Sequence, residues 1–265
     1  MSALDGWEAR SFEHEGVSRP VYVRGEGPSI VVVHEIPNLH PGVIRFGERL
    51  VAEGFRVWMP SLLGRPGAEV SIGRSLRSIA RACVAREFST WALRSTSPVT
   101  VWLRALARHA GEGRPVGAIG MCLTGGFALA MAVDEELAAP VLSQPSTPFA
   151  LTPWHRRDLG LSDQDLERVR ARCADEGLCV LGLRFSMDAM APGARFRRLK
   201  EVLGDAFLAV EIDSSPGNAH GIPIWHHSVL AQNYVDRPGH PTRLAEDRVV
   251  AFFRERLTAP VTAGR

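Results

Sequence analysis

Along the chain, short and fully apolar runs alternate with longer segments in which apolar residues recur every three or four positions. Residues 29–36, SerIleValValValHisGluIle, form a continuous run rich in β-branched side chains, the composition of a parallel strand covered on both faces. The segment from Pro41 to Gly54 then places apolar residues at helical spacing, with proline near its start and glycine at its end, and this predicts a helix. PheArgValTrpMetPro, residues 55–60, returns to strand character, so the three segments read as a βαβ unit with a right-handed crossover.

The same alternation recurs. Residues 115–121 predict a strand, 124–133 a helix and 139–142 a strand, and the next helix begins after Ser162, whose hydroxyl can cap it. Strands are expected at 179–185 and 207–212 with a helix over about 192–203 between them, and an amphipathic helix ending at Leu257 closes the chain. Such alternation predicts an α/β fold, a mainly parallel sheet with helices on both faces. Residues 1–27 read as an antiparallel edge hairpin. Residues 61–113, where Gly, Pro, Ser and Arg interrupt the periodicity, read as substrate-facing loops and short helices. No linker divides the 265 residues, so one domain is expected.

Composition narrows the picture. Hydrophobic residues make up 45% and charged residues 23%, enough apolar surface for a large core and no cause to invoke disorder. The net charge of +2 comes from interspersed signs apart from a basic stretch at Arg74–Arg94, so no nucleic-acid partner is expected. The opening residues show no basic stretch followed by an apolar one, and no segment nears the roughly 18–20 apolar residues of a membrane span. A soluble, cytoplasmic protein without a membrane partner is the expectation. Cys83, Cys122, Cys173 and Cys179 show no CxxC spacing, so free thiols in a reducing compartment fit better than zinc ligands or disulfides.

One cysteine stands out. In residues 115–126, ProValGlyAlaIleGlyMetCysLeuThrGlyGly, Cys122 falls at the junction of a strand with a helix, at the carboxyl edge where open parallel sheets bind ligands. An abrupt strand-to-helix turn needs small neighbours, which Gly120 and Gly125 supply, although Thr124 stands where glycine is usual. The helix N-terminus would favour thiolate over thiol. The alternatives are an inert buried cysteine and a phosphate cradle; the latter lacks the P-loop lysine and follows the third strand rather than the first.

A nucleophile on this scaffold needs an acid and then a histidine further along the chain. Asp188 follows the strand at 179–185, and His220 follows the strand at 207–212. Taken singly, Asp188 reads equally as a loop or capping residue and His220 as a turn residue; together at consecutive strand ends they suggest a triad. Glu35 is a carboxylate at the end of an apolar strand at the same sheet edge, costly there without a partner.

GlyMetCysLeuThrGlyGly, together with ValValValHisGluIlePro, MetAspAlaMetAlaPro and AlaHisGly, resembles the dienelactone hydrolase family, α/β-hydrolases with a cysteine nucleophile. The resemblance implies that Cys122 attacks a carbonyl, His220 transfers protons and Asp188 fixes the imidazole. It implies further that Glu35 contacts the resting thiol and takes part in its activation. The backbone N–H groups of Leu123 and Ile36 would form the oxyanion hole. The reaction so implied is hydrolysis of a lactone or small carboxylic ester through a cysteine-bound acyl intermediate, without a cofactor.

The sequence also departs from the family. Members hold a substrate carboxylate with one arginine before the elbow and one shortly after the histidine. Arg81 or Arg86 could supply the first, but after His220 no arginine comes before Arg237. His226 and His227 cannot reproduce a guanidinium fork, which puts the dienelactone substrate in doubt. Trp91, Trp225 and His226, with Phe88 and His227, could line a pocket for an apolar or aromatic ester, or simply pack. Adjacent histidines on extended chain point to opposite faces and no carboxylate lies at a supporting spacing, so no metal is assigned; His34 is ambiguous. The expected partner is a small-molecule substrate, and oligomeric state is not readable. The rival readings are a noncatalytic ligand-binding protein on the same fold and a thiol redox sensor, which would need a resolving cysteine.

Overall fold

The computed structural model describes residues 3–71, 73–75, 77–78, 97–146 and 156–258. Its frame is one eight-stranded sheet of β1 (Glu8–His14), β2 (Val17–Arg24), β3 (Ser29–Val33), β4 (Arg56–Pro60), β5 (Val116–Met121), β6 (Leu137–Ser143), β7 (Val180–Phe185) and β8 (Phe207–Ile212). The order is β1-β2-β4-β3-β5-β6-β7-β8. β1 and β2 form an antiparallel hairpin at one edge, β2 joins β4 antiparallel, and every pairing from β4 to β8 is parallel.

Why the apolar runs are continuous is plain from the two faces. Val31 and Val33 of β3 enter one hydrophobic cluster, and Ile30 and Val32 enter the other, as the two-residue period of a strand requires. The first cluster is closed by helices α2 (Pro98–Gly111), α3 (Gly125–Met131), α4 (Asp163–Asp175) and α5 (Gly193–Leu203), through Trp102, Phe127, Val169 and Phe196. The second is closed by α1 (Pro41–Ala52) and α6 (Pro241–Leu257), through Phe46, Leu50, Phe252 and Phe253.

Local chemistry sets where these helices start. α1, α2 and α6 each carry proline in the first turn, where its missing N–H is not needed. His40, Ser97, Ser162 and His240 accept a backbone N–H of the following turn as N-caps of α1, α2, α4 and α6. Within residues 61–113, read as substrate-facing loops and short helices, α2 is a core helix of 14 residues, with Trp102, Leu103 and Leu106 buried. Trp102 Nε1–H reaches the carbonyl of Val17 at 2.9 Å and ties this helix to the edge hairpin.

Candidate active site

Cys122 follows β5 directly and opens a single 3₁₀ turn, Cys122–Thr124, that leads into α3. Its φ of 56° is left-handed, a conformation that a non-glycine side chain adopts only when its surroundings impose it. The turn around it is tightly packed. A Cβ on Gly120 would lie 2.1 Å from the carbonyl oxygen of Thr124, and one on Gly125 would lie 2.7 Å from Pro145 Cα. Both glycines are therefore required by close packing.

Thr124 itself is αR, with φ −86°, so its place in the elbow needs no glycine. Its hydroxyl accepts the Met121 N–H at 2.8 Å and faces the carbonyls of Val33 at 3.0 Å and Met121 at 2.9 Å. The departure from the usual glycine thus pins the ends of β3 and β5 together beneath Cys122.

Asp188 sits in the turn after β7, buried, where Oδ1 accepts the N–H groups of Met190 at 2.9 Å and Ala191 at 3.3 Å. Its other oxygen is occupied by histidine, but not by His220. His227 Nδ1 donates to Asp188 Oδ2 at 2.6 Å, which leaves Nε2 as the nitrogen on the Cys122 side. Burial alone would lower the His227 pKa. Against it, the nearness of the Cys122 sulfur and the Asp188 hydrogen bond combine to raise it well above 6.5. Nε2 is buried and makes no hydrogen bond of normal geometry.

His220 stands elsewhere for a reason visible in its own turn. Asn218 closes a short loop by accepting the N–H groups of His220 at 3.2 Å and Ile222 at 2.9 Å, which leaves the His220 ring exposed and packed on His240 at 5.7 Å. The segment holding His227 is organised by a second asparagine, Asn233, whose Oδ1 accepts the N–H groups of His227 and Ser228 at 3.0 and 2.9 Å.

The structure also moves Glu35. Its side chain is buried, and its bonds go to protein donors other than the thiol. Oε1 accepts from His40 Nε2 at 3.0 Å and Ser228 Oγ at 2.8 Å, and Oε2 accepts from Gln144 Nε2 at 2.8 Å. The His40 tautomer follows from its capping role, since Nδ1 accepts the Gly42 N–H and leaves Nε2–H to donate. Glu35 therefore fastens the start of α1, the end of β6 and the His227–Ser228 segment to the end of β3. The sulfur of Cys122 instead lies 3.1 Å from Ser146 Oγ.

His34 proves to be framework. Its Nε2 accepts the Leu62 N–H at 3.0 Å and its Nδ1–H donates to the Glu35 carbonyl at 2.8 Å. Burial pushes its pKa down to about 4, which keeps the ring neutral in this role. Of the residues expected near substrate, Trp225 is 77% exposed and His226 packs on Phe185 at 5.6 Å. Arg81, Arg86 and Trp91, with Cys83 and Phe88, lie outside the described residues. Among the described residues there is no cluster of three or more His, Cys, Asp or Glu able to hold a metal, and no helix is long and apolar enough to cross a membrane.

A parallel sheet with a strained residue between strand and helix, and with an acid and a histidine brought to the same edge, has the architecture of an α/β-hydrolase. Residues 17–255 match the profile of the dienelactone hydrolase family, and the chain belongs to that family. No curated protein matches it significantly. Among solved structures, a Klebsiella pneumoniae protein assigned to the dienelactone hydrolases is 19% identical, with a TM-score of 0.63 over 94% of this chain and 98% of that one. The dienelactone hydrolase of Anabaena variabilis is 15% identical, with a TM-score of 0.58 over 95% and 98%. A dienelactone hydrolase-like promiscuous phosphotriesterase from metagenomic libraries is 16% identical, with a TM-score of 0.59 over 95% and 99%. The chain is a hydrolytic enzyme of this family.

Proposed function

We propose that the enzyme hydrolyses small carboxylic esters or lactones through an acyl-thioester on Cys122, with His227 as the acid–base group and Asp188 as its anchor. The observation that carries this reading is the 2.6 Å bond from His227 Nδ1 to Asp188, on a ring whose other nitrogen faces the strained cysteine. In the first half-reaction the sulfur attacks the carbonyl carbon. The backbone N–H groups of Leu123 and Ile36 receive the developing oxyanion, and the proton on His227 Nε2 passes to the departing alkoxide. In the second half-reaction water attacks the thioester, His227 takes its proton, and the sulfur leaves as the acid is released.

The substrate reading is of an ester with an apolar portion. Four of the six exposed large apolar side chains among the described residues, Met187, Met190, Ile224 and Trp225, flank Asp188 or His227 in sequence. Such exposure beside a polar site is typical of a ligand surface. After His227 the chain still carries no arginine before Arg237, so a substrate carboxylate is not required in this proposal.

The test is rapid-mixing hydrolysis of p-nitrophenyl acetate, a panel of five-membered lactones and a phosphotriester, by wild type and Cys122→Ala, with mass spectrometry of the quenched protein. Turnover with an acyl adduct on Cys122, both lost in the variant, is the expected result. Equal residual rates and no adduct would leave the noncatalytic binding protein as the better reading, and turnover of the phosphotriester alone would overturn the ester assignment.

A further inference from the structure

The family resemblance gives the resting thiol a glutamate partner, yet Glu35 already accepts three hydrogen bonds from His40, Ser228 and Gln144. The group that does meet the sulfur is Ser146, with Oγ 3.1 Å from Cys122 Sγ. The same residue grips the other end of Cys122, because its backbone N–H donates to the Cys122 carbonyl at 2.9 Å. Two bonds from one residue thus hold the strained elbow position at both its carbonyl and its sulfur.

The residues leading to Ser146 are themselves held in place. The Gln144 N–H donates to the Leu183 carbonyl at 2.7 Å, and the Gln144 side chain is bound to Glu35. Pro145 abuts Gly125 of the elbow, and its carbonyl accepts from the buried Arg195 guanidinium at 2.5 Å. A hydroxyl on such a support is preorganised, so little rotamer freedom is lost when it bonds to sulfur. Its direction follows from donor strength. An O–H is a much better donor than an S–H, and the sulfur faces a histidine that favours negative charge on it.

We propose that Ser146 is a positioning residue that donates its hydroxyl hydrogen to the Cys122 sulfur, stabilising the thiolate and setting its direction relative to His227 Nε2. This rests on the nucleophile reading above and adds to it a third support for the reactive sulfur. The unpartnered state of Nε2 fits the same arrangement, because a sulfur held by Ser146 is not drawn into ideal line with the ring. During acyl transfer the hydroxyl stays in place, and on deacylation it receives the returning sulfur.

The experiment follows alkylation of Cys122 by iodoacetamide between pH 5 and 10, read site by site by peptide mass spectrometry, in wild type, Ser146→Ala and Ser146→Thr. A hydrogen bond to a charged group is worth about 1.5–3 kcal/mol, and roughly 1.4 kcal/mol is tenfold. The Ser146→Ala profile should therefore move to higher pH by about one unit or more, with a rate on its rising limb about tenfold or more below wild type. In Ser146→Thr, which keeps the hydroxyl, the profile should return toward wild type. With p-nitrophenyl acetate, Ser146→Ala should lower kcat with KM nearly unchanged. A Ser146→Ala profile that overlays wild type would overturn the proposal. Because alkylation reads the sulfur without turnover, that result is separate from failure of the nucleophile reading, which would show as unchanged hydrolysis by Cys122→Ala.

Discussion

Replacing His227 with alanine separates the two histidines that compete for the role of base. A positioned acid–base group is worth about 10²–10⁴ in rate, so His227→Ala should lower kcat/KM for p-nitrophenyl acetate by about a thousandfold. His220→Ala should stay within about twofold, because that ring is exposed and touches neither Asp188 nor Cys122 by hydrogen bond. Stability supplies an independent magnitude. The Asp188 side chain is 3% exposed, and in the variant it would keep the N–H groups of Met190 and Ala191 but lose its histidine. Loss of one bond to a buried charged group costs about 1.5–3 kcal/mol, or roughly 3–12 °C in Tm for a chain of this size. The sign with pH also follows. Because folding raises the His227 pKa, its stabilisation is present below about pH 6.5 and fades as pH rises through the higher folded value. The gap in Tm between wild type and His227→Ala, followed by circular dichroism, should narrow in alkali. Loss of activity in His220→Ala with retention in His227→Ala would refute the assignment.

Acid should act through His34. Its folded pKa of about 4, lowered by burial, lies below the ordinary 6.5, so the unfolded chain takes a proton first and stability falls as pH drops between those values. The loss by pH 4 should be about 3 kcal/mol, and urea midpoints of wild type should decline more steeply over this range than those of His34→Gln. Glu35→Gln replaces an oxygen by an NH₂ that faces donors, leaving one of them unsatisfied at about 1–3 kcal/mol. Urea unfolding should show that loss, and steady-state kinetics should show kcat falling more than KM rises, because the side chain holds the segment of His227 rather than substrate.

Those strands whose two faces are both covered were the most legible part of the fold. β3, β5 and β7 are buried at every position, so their apolar runs need no phase information to be seen. α2 was harder, because it opens on Pro98 and three β-branched residues, Val99, Thr100 and Val101, that read locally as extended chain; only its packing against β3 and β5 decides it. The elbow around Cys122 was legible because it is a local steric problem solved within six residues. The histidine that bonds to Asp188 was not. Between β8 and α6 the described chain has no helix or strand to fix its path, and four histidines, His220, His226, His227 and His240, share it. A motif of three residues, AlaHisGly, pointed to the first of them. A contrary signal was the serine after His227, whose hydroxyl meets Glu35 across 193 residues of sequence, but such a contact becomes visible only in three dimensions.

How an irregular segment can hold the His227 ring against Asp188 follows from where its polar groups end. Asn233 binds two consecutive N–H groups, Ser228 binds Glu35, and the Val229 N–H reaches Gln144 Oε1 at 3.3 Å, so the segment is fixed by side chains where a ladder is absent. Gln144 also begins the Gln144–Ser146 stretch that meets the sulfur. His227 and Cys122 are thus supported from one buried polar network, with Glu35 at its centre and Gln144 as the branch between them. In a low-dielectric interior such a network is rigid while every donor and acceptor is matched, and each loss exposes its neighbours to the cost of an unpaired group. Energies of substitutions within it should therefore not add. Glu35 is better understood as the keystone of that scaffold than as a partner of the thiol, because both of its oxygens already bind the donors that tie α1, the end of β6 and the His227–Ser228 segment together.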